Sequence, residues 1–332
     1  MVPGSLSDGD LNSRIDRLAR RFRLYTELSP HGLWAPGLVI SREMRLAAEF
    51  YLPLEEIARA IRRLMVLSLK VDRSPTAQVL DRYPSWLDVI QGLYPLVRDV
   101  NPAIILRRLM SDSWFRNRFL FALSLPRHYG GRFNRYPGQA AFLRNWLENS
   151  RLTGMVRCLD AACGSGEGTY GLALLLRDSG FAPEQLMIHG ATIEPLELFA
   201  AAHGWFPHDP VRQEAFRRHI GLLFADTTAE HMAFFREDLA EDPTSPGTEY
   251  DIILCNGLLG GPLMNSRDSL EKATESLCAR LRPGGLLLAA DRFHGGWKKK
   301  VPGNGLKKML AGYGLKALAG DEGVAGVKPG RE

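Results

Sequence analysis

Two regimes of hydrophobic spacing divide the chain. Up to about residue 125, apolar positions recur every three or four residues, the period of an amphipathic helix. In residues 54–70, LEEIARAIRRLMVLSLK, one stripe collects Ile57, Ala60, Ile61, Leu64, Leu67 and Leu69. Pro53 precedes it and Glu55 and Glu56 open it, which suits a helix N-terminus. Segments 85–99 and 102–110 predict further helices, punctuated by Pro84, Pro95 and Pro102. After residue 150 short apolar runs alternate with amphipathic stretches. The runs predict strands over 156–161, 187–193, 232–237, 250–255 and 285–290. The stretches predict helices over about 168–178, 195–203, 268–281 and 304–312. The tail, 314–330, reads as two short strands joined by Asp-Glu-Gly, a hairpin that adds an antiparallel strand to a sheet edge.

This alternation predicts an α/β fold, a doubly wound Rossmann-like sheet with ligand chemistry at the C-terminal ends of its strands. A helical N-terminal domain (1–125) precedes it. Residues 126–150 are expected to form a linker and junction helix, because 126–138 is rich in Gly, Pro and Arg. The sheet domain takes 151–332.

Composition narrows the class. At 332 residues, with 45% apolar and 24% charged positions, the chain suits one large or two ordinary globular domains. No apolar run approaches the roughly 18–20 residues that span a bilayer, so no integral membrane segment is expected. The N-terminus, MVPGSLSDGDLNS, has no hydrophobic signal core, and the expected location is the cytoplasm. Cys158, Cys163, Cys255 and Cys278 form no CxxC pair. Neither a disulfide framework nor a structural metal is expected. His203 and His208 lack metal-ligand spacing and read as surface residues.

The net charge of +5 lies wholly in the first part: residues 1–125 hold 18 Lys/Arg against 13 Asp/Glu, and the remainder holds 24 of each. That favours an acidic partner for the helical part, but five charges are too few to imply nucleic acid.

The chemistry concentrates after the first predicted strand, in LDAACGSGEGTYGLALLL. Gly164, Gly166 and Gly168 make a G-x-G-x-G turn ahead of a helix. Such turns bring backbone N–H groups close to a ligand. By itself the turn fits NAD, a flavin, S-adenosylmethionine or a plain connection. No Lys-Ser/Thr pair follows, which disfavours a phosphate-gripping loop. Glu194 closes the second predicted strand, where a carboxylate can accept ribose hydroxyls. Asp238 closes the third, where a polar side chain can meet an adenine amine.

At this point the sequence resembles a known family. Ala161, Ala162, Cys163, Ser165, Gly166, Glu167, Tyr170, Leu172 and Ala173 are similar to the cofactor loop of chemotaxis receptor methyltransferases, the CheR family of class I S-adenosylmethionine-dependent enzymes. Upstream, Phe133, Arg135, Pro137, Gln139 and Leu143 resemble that family's FFR-x-P-x-Q-x-x-x-L junction. YDIILCNGLL and LRPGGLLLAA resemble its fourth- and fifth-strand motifs, and the tail hairpin is also found in class I methyltransferases. The resemblance covers about 130–295. It implies S-adenosylmethionine as cofactor and S-adenosylhomocysteine as product. It implies that Arg135 reaches the methionine carboxylate and Glu167 the amino end. Glu194 would hold the ribose, and Asp238 and Leu239 would flank the adenine. Ala161, Cys163, Gly164, Gly166, Tyr170, Cys255 and Asn256 would complete the cofactor surroundings.

The implied reaction is methyl transfer to a protein glutamate. The implied partner is an acidic helical protein such as a chemoreceptor, approached through Arg59, Arg62 and Arg63 on the 54–70 helix. The chain departs from the family after the fourth strand. The family's C-R-N-V-x-x-Y-F is here Cys255-Asn256-Gly257-Leu258-Leu259-Gly260-Gly261-Pro262. Asn256 stands for the family's Asn with one residue deleted, and its Arg and Tyr have no counterpart. Gly131 replaces the Thr before FFR. Segment 203–231 is compact, so the inserted β-subdomain that binds a receptor tail in tethering members is not expected. No catalytic side chain is singled out. A methyltransferase acting on a small molecule, and a non-catalytic cofactor-binding module, remain as alternatives.

Overall fold

The computed structural model describes residues 2–70, 80–125, 133–150, 152–241, 248–261, 264–290, 301–318 and 322–330. The chain divides into two compact units. The first comprises Met1–Tyr129 together with Glu194–Leu196 and Phe206–Gln213, and the second holds the rest.

The first unit is helical: α1 (Gly9–Leu28), α2 (Arg42–Tyr51), α3 (Leu54–Leu69), α4 (Trp86–Leu93), α5 (Pro102–Ser111) and α6 (Ser113–Ser124). Short polar side chains start four of these helices by accepting otherwise unpaired N–H groups. Asp8 accepts from Leu11, Ser41 from Met44, Asn101 from Ala103 and Asp112 from Phe115. On α3 the buried stripe is Ile57, Ile61, Leu64 and Ser68, and Leu67 and Leu69 lie only partly inside. The helix period carries the inward face to Met65 and Ser68. α4 stops at Leu93 rather than running to 99. Pro95 lacks an N–H and drives Tyr94 to extended geometry, ψ 140°.

Arg116, fully buried on α6, donates Nη1 to the carbonyls of Leu109 and Met110, and Nη2 to those of Val2 and Gly4. It ties the start of the chain to the open end of α5, and burial lowers its pKa. His208 is buried rather than at the surface, its Nε2 2.8 Å from the Leu125 carbonyl oxygen. A spacing argument sees only that it lacks metal partners, not that a backbone carbonyl satisfies it.

The second unit opens with α7 (Pro137–Asn149) and continues through a seven-stranded sheet. Its strands are β1 (Val156–Asp160), β2 (Leu186–Thr192), β3 (Met232–Arg236), β4 (Tyr250–Leu254), β5 (Leu281–Ala289), β6 (Lys316–Leu318) and β7 (Val324–Val327). The order is β3-β2-β1-β4-β5-β7-β6, with β1 to β5 parallel and β7 antiparallel to both β5 and β6. The crossovers are α8 (Glu167–Asp178), α9 (Pro195–His203), α10 (Pro210–Ala225), α11 (Arg267–Ala279) and α12 (Gly303–Gly312). The expected doubly wound sheet and its terminal hairpin are both present. The Asp321 end of the Asp-Glu-Gly turn lies outside the described residues. The order reverses between β1 and β4, and such a reversal opens a crevice at the strands' C-terminal ends.

Two local differences have physical causes. β5 begins at Leu281, four residues before the predicted strand, because Tyr250 pairs with Leu281 before a bulge shifts Ile252 onto Leu286. Arg282-Pro283-Gly284-Gly285 occupies that bulge, where proline is tolerated. α10 was hidden in segment 203–231. Only Phe216, Ile220 and Leu223 are buried on its described length, a stripe too narrow to stand out among its arginines.

One ion pair is almost entirely inside the second unit. Glu237, just past β3, takes both oxygens to Nη1 of Arg280, at 2.9 and 3.0 Å, and their side chains are 1% and 7% exposed. Removing one member of such a pair strands the other without water. Glu237→Ala is therefore expected to cost about 3–5 kcal/mol in urea unfolding of this unit, against under about 1 kcal/mol for an exposed pair such as Arg218–Glu214.

Candidate functional site

β1 delivers Asp160 to the sheet's C-terminal edge, and the chain then turns through 161–166 into α8. The turn is bonded to both neighbouring strands: Ala161 N–H donates to Leu254 O at 2.7 Å and Cys163 N–H to Ala191 O at 2.9 Å. Gly166 holds φ +93°, and a Cβ there would lie 2.9 Å from that of Ala201 on α9. A Cβ at Gly168 would lie 2.9 Å from Asp160 Oδ2. These two glycines serve close packing. Gly164, φ +52°, differs: its Cβ position meets nothing nearer than Glu197 Oε1 at 4.0 Å, so its backbone faces open space.

Three carboxylates surround this loop. Asp160 is buried and accepts Thr169 Oγ1 at 2.8 Å. Burial pushes its pKa up to about 6, against the opposing pull of its bonds from Thr169 and the Ala162 N–H, and nearby Glu167 adds to the rise. Glu167 opens α8 and accepts Ser165 Oγ at 2.7 Å. Glu197, in the first turn of α9, accepts Thr192 Oγ1 at 2.9 Å. Burial first, then these charges, raises the Cys163 thiol well above its ordinary value, which keeps it protonated and unreactive. The surroundings suit a ligand carrying positive charge next to Gly164.

The remaining sequence candidates fall in different settings. Tyr170 is buried, donates its hydroxyl to Ala201 O at 3.0 Å and has its pKa pushed up to about 12 by burial, so its polar atom faces α9. Cys255 is buried beyond β4, its N–H on Leu288 O. Asn256 bonds reciprocally with Gln139 of α7. Asp238 accepts the Ala240 N–H at 2.9 Å in a tight turn, and Leu239 is buried in the core cluster beside it. Glu194 lies two residues beyond β2, accepts the Leu196 N–H at 3.3 Å and groups with the first unit. Arg135 is partly buried, its guanidinium carbon 5.4 Å from the Tyr136 ring centre.

Arg59, Arg62 and Arg63 sit on α3 of the first unit, each already ion-paired. Arg59 and Arg62 reach Glu55 at 3.5 and 2.9 Å, and Arg63 reaches Asp8 at 2.6 Å. Among the described residues no group of three His, Cys, Asp or Glu is placed to hold a metal ion, and no helix is long and apolar enough to cross a membrane. Asp160 and Glu197 escaped the sequence reading. Asp160 is detectable as the acid closing an apolar strand, whereas Glu197 emerges only once Thr192 is seen to hold it.

The family described as "CheR methyltransferase, SAM binding domain" matches residues 132–292. This segment is a CheR-type S-adenosylmethionine-binding domain. The match spans just under half of the chain and implies S-adenosylmethionine as its cofactor, and the glycine loop with its carboxylates fits a cofactor that carries an ammonium and a sulfonium. Solved structures are similar at low identity. The [4+2]-cyclase SpnF is 19% identical over 54% of this chain and 59% of its own, with a TM-score of 0.36. A TehB-like SAM-dependent methyltransferase from Corynebacterium glutamicum is 16% identical over 58% and 88%, with a TM-score of 0.35. The CurJ carbon methyltransferase is 16% identical over 96% and 92%, with a TM-score of 0.40. No curated protein matches the sequence.

The Asp160 shift gives a pH signature in the CheR domain. An unfolded carboxyl releases its proton near 3.8, whereas the folded one keeps it to about 6. The folded state therefore binds the extra proton inside that window. Stability from this group falls as pH rises through it, by on the order of 3 kcal/mol, and is level above it. Asp160→Asn is expected to remove that slope from urea unfolding measured across pH. A positively charged ligand favours the ionised carboxylate, so wild-type affinity for S-adenosylmethionine, with its sulfonium, should weaken as pH drops below about 6, and the variant's should not.

Proposed function

We propose that the chain transfers a methyl group from S-adenosylmethionine to the side-chain carboxylate of a glutamate in a protein partner. The observation that carries this reading is the CheR match across the glycine loop and its ring of carboxylates. In this reading residues 1–125 face the partner, 126–150 form the junction and 151–332 perform the transfer.

When bound, S-adenosylmethionine supplies a methyl group on a positively charged sulfur. A glutamate is already ionised near neutral pH, so its oxygen needs no general base. A C–O bond forms as the C–S bond breaks, and the bonding pair stays on sulfur. The products are a methyl ester and S-adenosylhomocysteine. The protein's contribution is alignment of oxygen, carbon and sulfur. Arg135 is assigned to the methionine carboxylate, Glu167 to the ammonium, Glu194 with Glu197 to the ribose, and Asp238 with Leu239 to the adenine. The Gly164 backbone would lie against the ligand.

A second reading, a small-molecule acceptor, is favoured by one observation. The three arginines of α3 are paired with Glu55, Asp81 and Asp8, which reduces their pull on an acidic helix.

Incubation with methyl-labelled S-adenosylmethionine and a glutamate-rich helical receptor fragment should give base-labile label in the protein. Label only in small carboxylic acids would support the second reading. Arg59→Glu is the informative charge reversal, because Arg63→Glu would also set a carboxylate against Asp8 at the start of α1. It should slow transfer to the protein acceptor at low salt and leave cofactor affinity unchanged.

Calorimetry tests the cofactor assignments. Arg135→Ala should weaken S-adenosylhomocysteine and spare adenosine, which lacks the carboxylate. Glu194→Ala and Glu197→Ala should each weaken both ligands by about 1.5–3 kcal/mol if they hold the ribose. An unchanged affinity in either variant removes that residue from the site.

A further inference from the structure

Gln139 and Asn256 are 117 positions apart and form a closed amide pair. Gln139 Nε2 donates to Asn256 Oδ1 at 3.0 Å, and Asn256 Nδ2 donates to Gln139 Oε1 at 2.8 Å. Gln139, in the first turn of α7, is only 6% exposed. Asn256 Oδ1 also accepts the Ala290 N–H at 2.8 Å, and the next residue, Gly257, donates its N–H to Ala290 O at 2.7 Å. The Ala290 N–H fixes which end of the Asn256 amide is oxygen, and reciprocity then fixes Gln139. From the other side, the Gln139 N–H donates to Glu322 Oε2 at 3.1 Å. One side-chain pair thus fastens the start of α7 to the exits of β4 and β5, and Glu322 adds the approach to β7.

A part-buried amide pair is a poor source of net stability, since it replaces equally good bonds to water. Its value is geometric, because a partly satisfied pair is costly and only one arrangement satisfies both amides. The location makes that geometry useful. Arg135 is four residues ahead of Gln139, and the β4 exit flanks the crevice where the strand order reverses.

We propose that Gln139 and Asn256 are a positioning pair that holds the Arg135 turn and the β4 exit in register for the amino-acid end of the cofactor. Neither is a catalytic residue, and the Asn256 side chain acts through Gln139 and Ala290 rather than on the ligand. This rests on the reading that Arg135 holds the methionine carboxylate.

The test is a double-mutant cycle on the full chain, with calorimetric titration of S-adenosylhomocysteine and of adenosine. Gln139→Leu keeps the volume and removes the pair, Asn256→Ala removes its other half, and the double variant removes both. Each single variant should weaken S-adenosylhomocysteine about tenfold, with adenosine changed less than about twofold. The double variant should be no weaker than the worse single one. Gln139→Glu retains the acceptor for Asn256 Nδ2 but sets a carboxylate oxygen against Asn256 Oδ1. It supplies a second reading should Gln139→Leu fail to fold, and should also lose S-adenosylhomocysteine selectively.

Losses that multiply in the double variant, equal losses for adenosine, or unchanged S-adenosylhomocysteine affinity would each overturn the pair's role. Failure of Arg135→Ala to weaken S-adenosylhomocysteine selectively, while wild type binds it, would instead overturn the underlying reading.

Discussion

A carboxylate cut off from water organises the C-terminal edge of the sheet. Asp160 ends β1, which lies between β2 and β4 in the strand order, and it needs donors from the protein itself. Thr169 and the Ala162 N–H supply them. To bring both within reach, the chain must reverse immediately after β1 and send α8 back over the strand end. Gly168 makes that approach possible, because a side chain there would strike the carboxylate at 2.9 Å. Gly166 does the same for α8 against α9. What remains unfilled is the side of the turn at Gly164, where a Cβ would meet nothing nearer than 4.0 Å. The residual cost of burying Asp160 appears as its raised pKa, a cost that a cation placed nearby would relieve.

The division into a helical part and a doubly wound sheet was legible because period and composition change together after residue 150. Each parallel strand was visible as an apolar run bounded by turn residues, and the strand ends were displaced by only a residue or so. β5 is the exception, since its first residues, Leu281-Arg282-Pro283-Gly284, carry every mark of a loop. Their pairing depends on Tyr250, thirty-one positions earlier, which no local pattern reports. α10 was illegible for the opposite reason: its period is helical, but too few apolar residues mark the buried face.

At the site, the glycine loop was readable because glycines at fixed spacing have few other uses. The carboxylate ring was only half readable. Glu167 belongs to the motif itself, whereas Glu197 depends on a hydroxyl at the end of β2 to hold it. The Gln139–Asn256 pair shows the same limit. Both residues lie in segments that resemble family motifs, yet their joining is a tertiary fact. It bears on Asn256: its amide is bonded to Gln139 and to the Ala290 N–H, which in the proposed positioning role orders the β4 exit.

Charge was the least transferable of the sequence signals. The excess of +5 falls in the first part, and α3 concentrates three arginines within about one helical turn. Counted along the chain, that is a basic face. In the folded unit the excess persists but each of these charges has a close partner: Glu55 serves both Arg59 and Arg62, Asp8 serves Arg63, Glu56 serves Arg17 and Arg21, and Asp88 serves Arg45, so six arginines share four acids. Shared acids leave a reduced positive excess on this face, and at physiological salt its reach ends within about 8 Å. Asp8 also caps α1, so Arg63 is partly occupied in holding a helix start. An acidic helix docking on α3 would have to displace or share these partners. Any selectivity for a protein acceptor on that surface then comes from contact geometry more than from long-range attraction.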